Sequence, residues 1–310
     1  MTETWLTKEF GLAFPIVGAP MGGRAGGVLT GEVSKAGGLG MLGAARYTTA
    51  DWIAKEAAVA RDIGGIFGIG LQTWSLDEDD ALLEAALEAK PRVIALSFGD
   101  AAPYAERVHA AGIAVMSQIN TVDDMRLAEQ AGVDIIVAQG GEAGGHTGKV
   151  GTLPLLQEVL DSTELPVLAA GGIATGRGLA AVIAAGAQGA LIGTALLASP
   201  ETIGPEYARS RILAASSTDT VYTSVFDQAR HQPWPTRWGG RAIANEFTAR
   251  YHDAGVDEAE LATAYDPANP ELGVVYAGQA AGLVNSEHPA GEIVRRIAAD
   301  ADALLRRFAS

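Results

Sequence analysis

Val133-Asp134-Ile135-Ile136-Val137-Ala138-Gln139-Gly140-Gly141-Glu142-Ala143-Gly144-Gly145-His146-Thr147-Gly148 decides how the rest of the chain is read. The apolar run at its start reads as a strand buried on both faces, as in a parallel sheet. It then turns into a loop with five glycines and one imidazole. Each glycine costs backbone entropy on ordering, so such a cluster buys little stability. It allows left-handed backbone and close approach of a ligand to bare amides. A histidine on such a loop, at the carboxyl end of a strand, sits where α/β enzymes carry their chemistry. The plainer reading, a turn with a surface histidine, needs only one or two glycines.

Working outward, short apolar runs alternate with amphipathic segments. Eight runs recur, at 15–20, 38–43, 66–71, 93–98, 113–117, 135–138, 166–170 and 190–193. Between them lie helical patterns at 29–36, 50–63, 79–89, 102–111, 122–131, 153–161 and 177–185. The period of roughly 20–30 residues is that of successive βα units. Ala36-Gly37, Ala111-Gly112, Ala131-Gly132 and Ala185-Gly186 read as helix ends with left-handed glycine, and Asp51, Asp79 and Thr121 as helix starts. Eight such units favour a (β/α)8 TIM barrel over an open doubly wound sheet. The first strand runs into Ala19-Pro20-Met21-Gly22-Gly23, and proline there removes an amide that a dinucleotide turn would use.

After residue 200 the period is lost. A helix is expected over 208–215, a strand over Thr220–Phe226, a Pro- and Trp-containing loop over 231–240, and a helix over Ala242–His252. The last segment, 289–308, is amphipathic, with Ile293, Ile297, Leu304, Leu305 and Phe308 on one stripe. The expected organisation is a barrel over 1–204, a small lid over 205–285, and a C-terminal helix over 286–310 that packs back on the barrel.

Composition narrows the function. With 22 Lys+Arg against 37 Asp+Glu, the net charge of -15 argues against a nucleic-acid partner. There is no cysteine, which removes disulfides, thiolate metal sites and a cysteine nucleophile, and with it a dehydrogenase of the IMP type. No metal site is expected. No signal peptide or transmembrane span is read, so a cytoplasmic location is expected. A homodimer is compatible with the sequence and not specified by it.

Two further glycine turns carry chemistry. Gly171-Gly172 follows the seventh apolar run and opens a helix, and Gly193-Thr194 follows the eighth. Loops at those strand ends form the usual phosphate site of such barrels, with free amides at a helix N-terminus. Tight strand–helix packing is the bland alternative. Met21, Gln72, Ser97, Gln118 and Gln139 stand at other strand ends. Three glutamines there suit the donor and acceptor edges of a flat heteroaromatic ring. A phosphate site, amide donors and an apolar floor point to FMN, with a sugar phosphate as the other ligand. His109, His231, His252 and His288 fall on helices or loops and read as surface residues. Glu142 either pairs with a helix or orients the imidazole.

The segments Pro15–Met21, Val33–Gly40, Glu142–Gly148 and Ala170–Gly178, in this order, resemble the nitronate monooxygenases, an FMN-dependent family formerly called 2-nitropropane dioxygenases. The resemblance covers residues ~10–200 and extends loosely beyond. The glycine–histidine loop is shared with flavin-dependent enoyl-acyl-carrier-protein reductases. The resemblance implies FMN contacts from Ala19, Pro20, Met21, Gln72, Gln118, Gln139, Gly144, Gly145, Gly171, Gly172, Gly193 and Thr194, and a role for His146 as base or substrate anchor. Some members carry lysine on the fifth strand where Gln118 stands here, a departure that bears on the redox tuning of the flavin. The implied reaction is oxidation of alkyl nitronates, or of nitroalkanes, by molecular oxygen to a carbonyl compound and nitrite. Reduction of an enoyl thioester by NAD(P)H and flavin binding without turnover are the alternatives.

Overall fold

A computed structural model describes residues 3–76 and 80–307. Eleven strands run β1 (Ile16–Gly18), β2 (Met41–Ala44), β3 (Gly68–Gln72), β4 (Val93–Ser97), β5 (Ala114–Ile119), β6 (Ile135–Gln139), β7 (Gly145–Thr147), β8 (Val167–Ala170), β9 (Gly189–Ile192), β10 (Thr220–Thr223) and β11 (Gly239–Ile243). Eight of them form one parallel sheet in the order β1-β9-β8-β6-β5-β4-β3-β2. The two edges meet. Val17 bridges Leu39 just ahead of β2, the Gly18 amide donates to Leu39 O at 2.8 Å, and the Leu39 amide donates to Ile16 O at 2.9 Å. The sheet therefore closes as the (β/α)8 barrel expected from the repeat.

Period-two alternation sorts the core into two shells. Val93, Ala95, Ile135, Val137, Leu168 and Ala170 point into the barrel. Their neighbours Ile94, Leu96, Ile136, Ala138 and Ala169 point out against the helices. A short helix, Trp5–Phe10, supplies Leu6 and Phe10 to the inner shell. A Cβ on Gly189, the first residue of β9, would meet Leu6 Cδ2 at 2.8 Å, so this helix plugs the amino-terminal end of the strands. The carboxyl end is left to the site.

Helix boundaries lie within two or three residues of expectation, and Gly37, Gly112, Gly132 and Gly186 all take positive φ. Thr121 caps its helix by accepting from the Asp124 amide. Asp51 does not cap. Thr49 does, accepting from the Trp52 amide at 3.2 Å, and Asp51 lies in the first turn. Asp79 and Phe308 lie outside the described residues. Ile297 is buried in the last helix, Ala290–Arg306, which packs on the helices Gly176–Ala184 and Gly27–Lys35.

The larger differences come after residue 220. The strand expected to run to Phe226 stops at Thr223, and Val225–Ala229 is helical. The helix expected from Ala242 starts at Glu246, because Gly239–Ile243 is strand β11. Two glycines weaken that strand as a sequence signal. They are there for space: a Cβ on Gly239 would meet the Tyr222 ring at 2.8 Å, and one on Gly240 the Tyr276 ring at 2.6 Å. β11 pairs antiparallel with β10 on one side and with β7 on the other, setting Gly240 opposite His146. Phe226, Phe247, Tyr251 and Leu261 form a small separate core behind it.

Candidate active site

A cavity of about 340 Å³ opens at the carboxyl ends of the barrel strands. Its lining includes His146 and every residue assigned to the cofactor on sequence grounds: Ala19, Pro20, Met21, Gln72, Gln118, Gln139, Gly144, Gly145, Gly171, Gly172, Gly193 and Thr194. Ser97 joins them. His109, His231, His252 and His288 do not.

His146 lies on β7, so its backbone is fixed by the pairing with β11. Its side chain is buried, and Nε2 stands 2.8 Å from Asp227 Oδ2. Nδ1 has no hydrogen-bond partner among the described residues. With Nε2 facing a carboxylate, the neutral ring carries its proton there and presents the Nδ1 lone pair. Asp227 is itself held by Arg230 Nη2 at 3.0 Å and by the Tyr276 hydroxyl at 3.1 Å, both donating to Oδ1. Arg230 also donates to Tyr276 at 2.9 Å. Burial drives the Tyr276 pKa well above the ordinary phenol value, with Arg230 opposing, so the phenol stays a neutral donor. Burial pulls Arg230 down, but Tyr276 and Asp227 outweigh it and leave its pKa raised. A buried carboxylate is thus matched by a permanent cation. Trp234 stacks on the imidazole with centroids 3.4 Å apart and planes 7° from parallel. Phe98, in the left-handed region at φ 66, meets Trp234 edge-on at 5.1 Å.

Glu142 does not orient the imidazole. Its carboxylate accepts from the Thr152 amide at 2.8 Å and the Thr152 hydroxyl at 2.8 Å, which closes the start of the helix Thr152–Leu160. Gln139 differs from the other glutamines. Its Oε1 accepts from Asn120 Nδ2 at 2.9 Å and its Nε2 donates to His146 O at 3.3 Å, so both ends are taken within the protein. Gln72 Oε1 accepts from the Arg46 amide at 3.1 Å, which leaves its Nε2 for a ligand.

At the ends of β8 and β9, the amides of Gly172 and Gly193 have no acceptor among the described residues. Gly171 and Gly172 take φ of +101 and +72, a backbone that a side chain would strain. Thr194 Oγ1 accepts from the Gly278 amide at 3.0 Å and keeps its own proton to donate. Free amides over small residues at a helix start are what a phosphate dianion requires, so these residues fit the phosphate end of a flavin nucleotide.

Asp227, Arg230, Trp234, Tyr276, Phe98 and Tyr47 were missed by the sequence reading. Only Trp234 left a signal, as an aromatic residue in a proline-bounded loop.

A closed parallel barrel with a carboxylate-held histidine and free amides gathered at its carboxyl mouth defines a (β/α)8-barrel enzyme. A family model described as nitronate monooxygenase matches residues 3–80 and 68–300. A nitronate monooxygenase of Neurospora crassa is 32% identical, over 94% of this chain and 90% of the relative. A bicyclic carboxyl-CoA dehydrogenase of Mycobacterium tuberculosis, (3aS,4S,5R,7aS)-5-hydroxy-7a-methyl-1-oxo-octahydro-1H-indene-4-carboxyl-CoA dehydrogenase, is 33% identical over 82% of this chain and 73% of the relative. Among solved structures, FabK from Thermotoga maritima superposes with a TM-score of 0.87 at 28% identity over 99% of both chains. The nitroalkane oxidase of Streptomyces ansochromogenes does so with 0.82 at 30%, over 98% of this chain and 99% of that one. The chain belongs to the nitronate monooxygenase family and is a flavin-dependent oxidoreductase.

Proposed function

We propose that the protein binds FMN and oxidises alkyl nitronates, or nitroalkanes after loss of a proton, with molecular oxygen, giving a carbonyl compound and nitrite. The observation that carries this reading is the Asp227-held His146 in one cavity with the free amides at Gly172 and Gly193. The bound flavin would supply electron acceptance and the reaction with oxygen, which no side chain here can do.

The protein's own contribution follows from its residues. The amides of Gly172 and Gly193 and the Thr194 hydroxyl would hold the phosphate. Ala19 to Met21, Ala170 and Leu191 would form the apolar floor under the ring, and Gln72 and Gln118 would meet its polar edges. His146 would take the α-proton of a neutral nitroalkane at Nδ1, while Asp227 steadies the resulting imidazolium. The nitronate so formed would lie against that imidazolium. Trp234 and Phe98 would shield that face from water, and residues 205–285 would act as the lid that brings Asp227, Arg230 and Trp234 to the barrel.

The test is direct. Purified protein should carry one noncovalent FMN per chain and consume oxygen on addition of ethyl nitronate, with nitrite released. A colourless protein that takes up no FMN on reconstitution would return the cavity to a sugar phosphate. Flavin bleaching by NAD(P)H but not by nitronate would favour a reductase.

A further inference from the structure

Arg24 follows β1 and lines the same cavity. Its guanidinium has no hydrogen bond or ion pair among the described residues, and Nε is buried without a partner. It packs against Gly204, where a Cβ would meet Nη1 at 2.5 Å and Cζ at 2.7 Å. The groups that act on it are Tyr207, Tyr47 and Arg209. Burial holds its pKa below the usual guanidinium value, Tyr207 and Tyr47 act in the opposite sense, and Arg209 adds to the lowering. None of these is a carboxylate. Arg209 is already paired with Glu287 at 2.8 Å. Glu56, which reaches the neighbouring turn, is committed to the Gly27 amide at 2.6 Å.

A half-buried cation whose Nε is shielded from water and which has no counter-ion is costly, and folded chains seldom keep one without a role. Arg230, the other arginine of the cavity wall, shows what satisfaction looks like, with Asp227 and Tyr276 both bound. Arg24 lacks such a partner and lines the cavity a ligand would fill. A guanidinium presents a planar fork that matches the two oxygens of a carboxylate or phosphate. Tyr47 stands beside it at the rim, 62% exposed, with its hydroxyl so close over Gly23 that a Cβ there would meet it at 2.7 Å. It offers a second donor from the open side.

We infer that Arg24, assisted by the Tyr47 hydroxyl, is an anion subsite of this cavity, and that the substrate carries a carboxylate or phosphate remote from its reacting carbon. The nature of the reacting group rests on the nitronate reading; the subsite does not. The flavin phosphate is not the anion in question, because on the proposed reading the free amides of Gly172 and Gly193 would meet that need.

The test uses the flavin-loaded full chain. Succinate and inorganic phosphate are titrated in turn, with binding followed by tryptophan fluorescence and by melting temperature. The wild type should bind succinate or phosphate saturably and gain melting temperature, and whichever binds identifies the source of the oxyanion. Arg24→Gln should weaken that binding roughly ten- to hundredfold, as expected for loss of a charge-assisted hydrogen bond, with flavin content unchanged. Arg24→Lys should keep part of it. Without added anion the Gln variant should melt no lower than the wild type, since an uncompensated charge has gone. On a matched pair of nitronates, one ending in carboxylate and one in methyl, Arg24→Gln should collapse the preference for the carboxylated member through KM. The inference is overturned if neither anion binds the wild type saturably, if the variant binds equally well, or if the variant loses its flavin. Intact anion binding without turnover of either nitronate would instead count against the nitronate reading and leave the subsite standing.

Discussion

His146 is fixed at one nitrogen by Asp227 and across one face by Trp234, which leaves Nδ1 as the free ring nitrogen. His146→Ala should keep bound flavin and its visible spectrum. It should cost roughly 10²–10⁴-fold in rate on a neutral nitroalkane, the usual contribution of a general base. The loss on pre-ionised nitronate should be smaller, since no proton need be removed. Equal losses on both would make His146 an anion anchor instead. Asp227→Asn should lower turnover within the same range without loss of flavin, because the ring would lose the acceptor that sets its tautomer. It should also lower stability by about 1–3 kcal/mol, since the half-buried Arg230 would lose its counter-charge. Steady-state rates and a urea titration read the two effects. His146 was legible because a glycine-rich loop after an apolar strand is a local pattern. Asp227 was not, because it lies 81 residues further on and is brought back only by the pairing of β7 with β11. Nothing local marks an aspartate that will meet a distant imidazole.

At the level of elements, the proposed function gives cofactor binding to the two glycine turns, while the Glu142 cap serves stability. A Cβ on Gly172 would meet nothing nearer than Glu142 Cβ at 3.6 Å, so the site has room for a side chain. Gly172→Asp should therefore fold, at a cost of roughly 1–2 kcal/mol for a left-handed non-glycine residue. Its carboxylate would repel the phosphate, and the flavin-to-protein absorbance ratio should fall to background. Retention at wild-type affinity would move the phosphate elsewhere. Glu142→Ala should do the converse: flavin stays, and the melting transition records a loss of about 0.5–2 kcal/mol from the uncapped helix. The cap was half legible, since Glu142 had two partners open to it and only packing chose Thr152. β11 was hidden for a different reason. Its glycines make room for Tyr222 and Tyr276, and a strand spelled with glycine lacks the alternation by which strands are recognised.

Over the whole molecule, the barrel was legible and its attachment was not. Eight βα periods dictate a closed parallel sheet, since each strand is apolar on both faces and each helix on one. The closing contact at Val17 and Leu39, by contrast, joins the first two apolar runs through a single bridge, and no periodicity says that they pair. The small sheet β10-β11-β7 took one strand from the glycine loop itself, which no periodicity announces. Among the described residues no helix is long and apolar enough to cross a membrane. The fold therefore delivers His146, the free amides of Gly172 and Gly193 and an unpaired arginine to one mouth, and the central claim is that this mouth oxidises nitronates on a flavin. Anaerobic mixing of the purified, FMN-loaded protein with excess ethyl nitronate, followed at the visible flavin band, tests that claim most directly. The account predicts rapid bleaching by nitronate, slow or no bleaching by NADPH, and return of colour with nitrite release when oxygen is admitted. A flavin that NADPH bleaches and nitronate leaves untouched would contradict it.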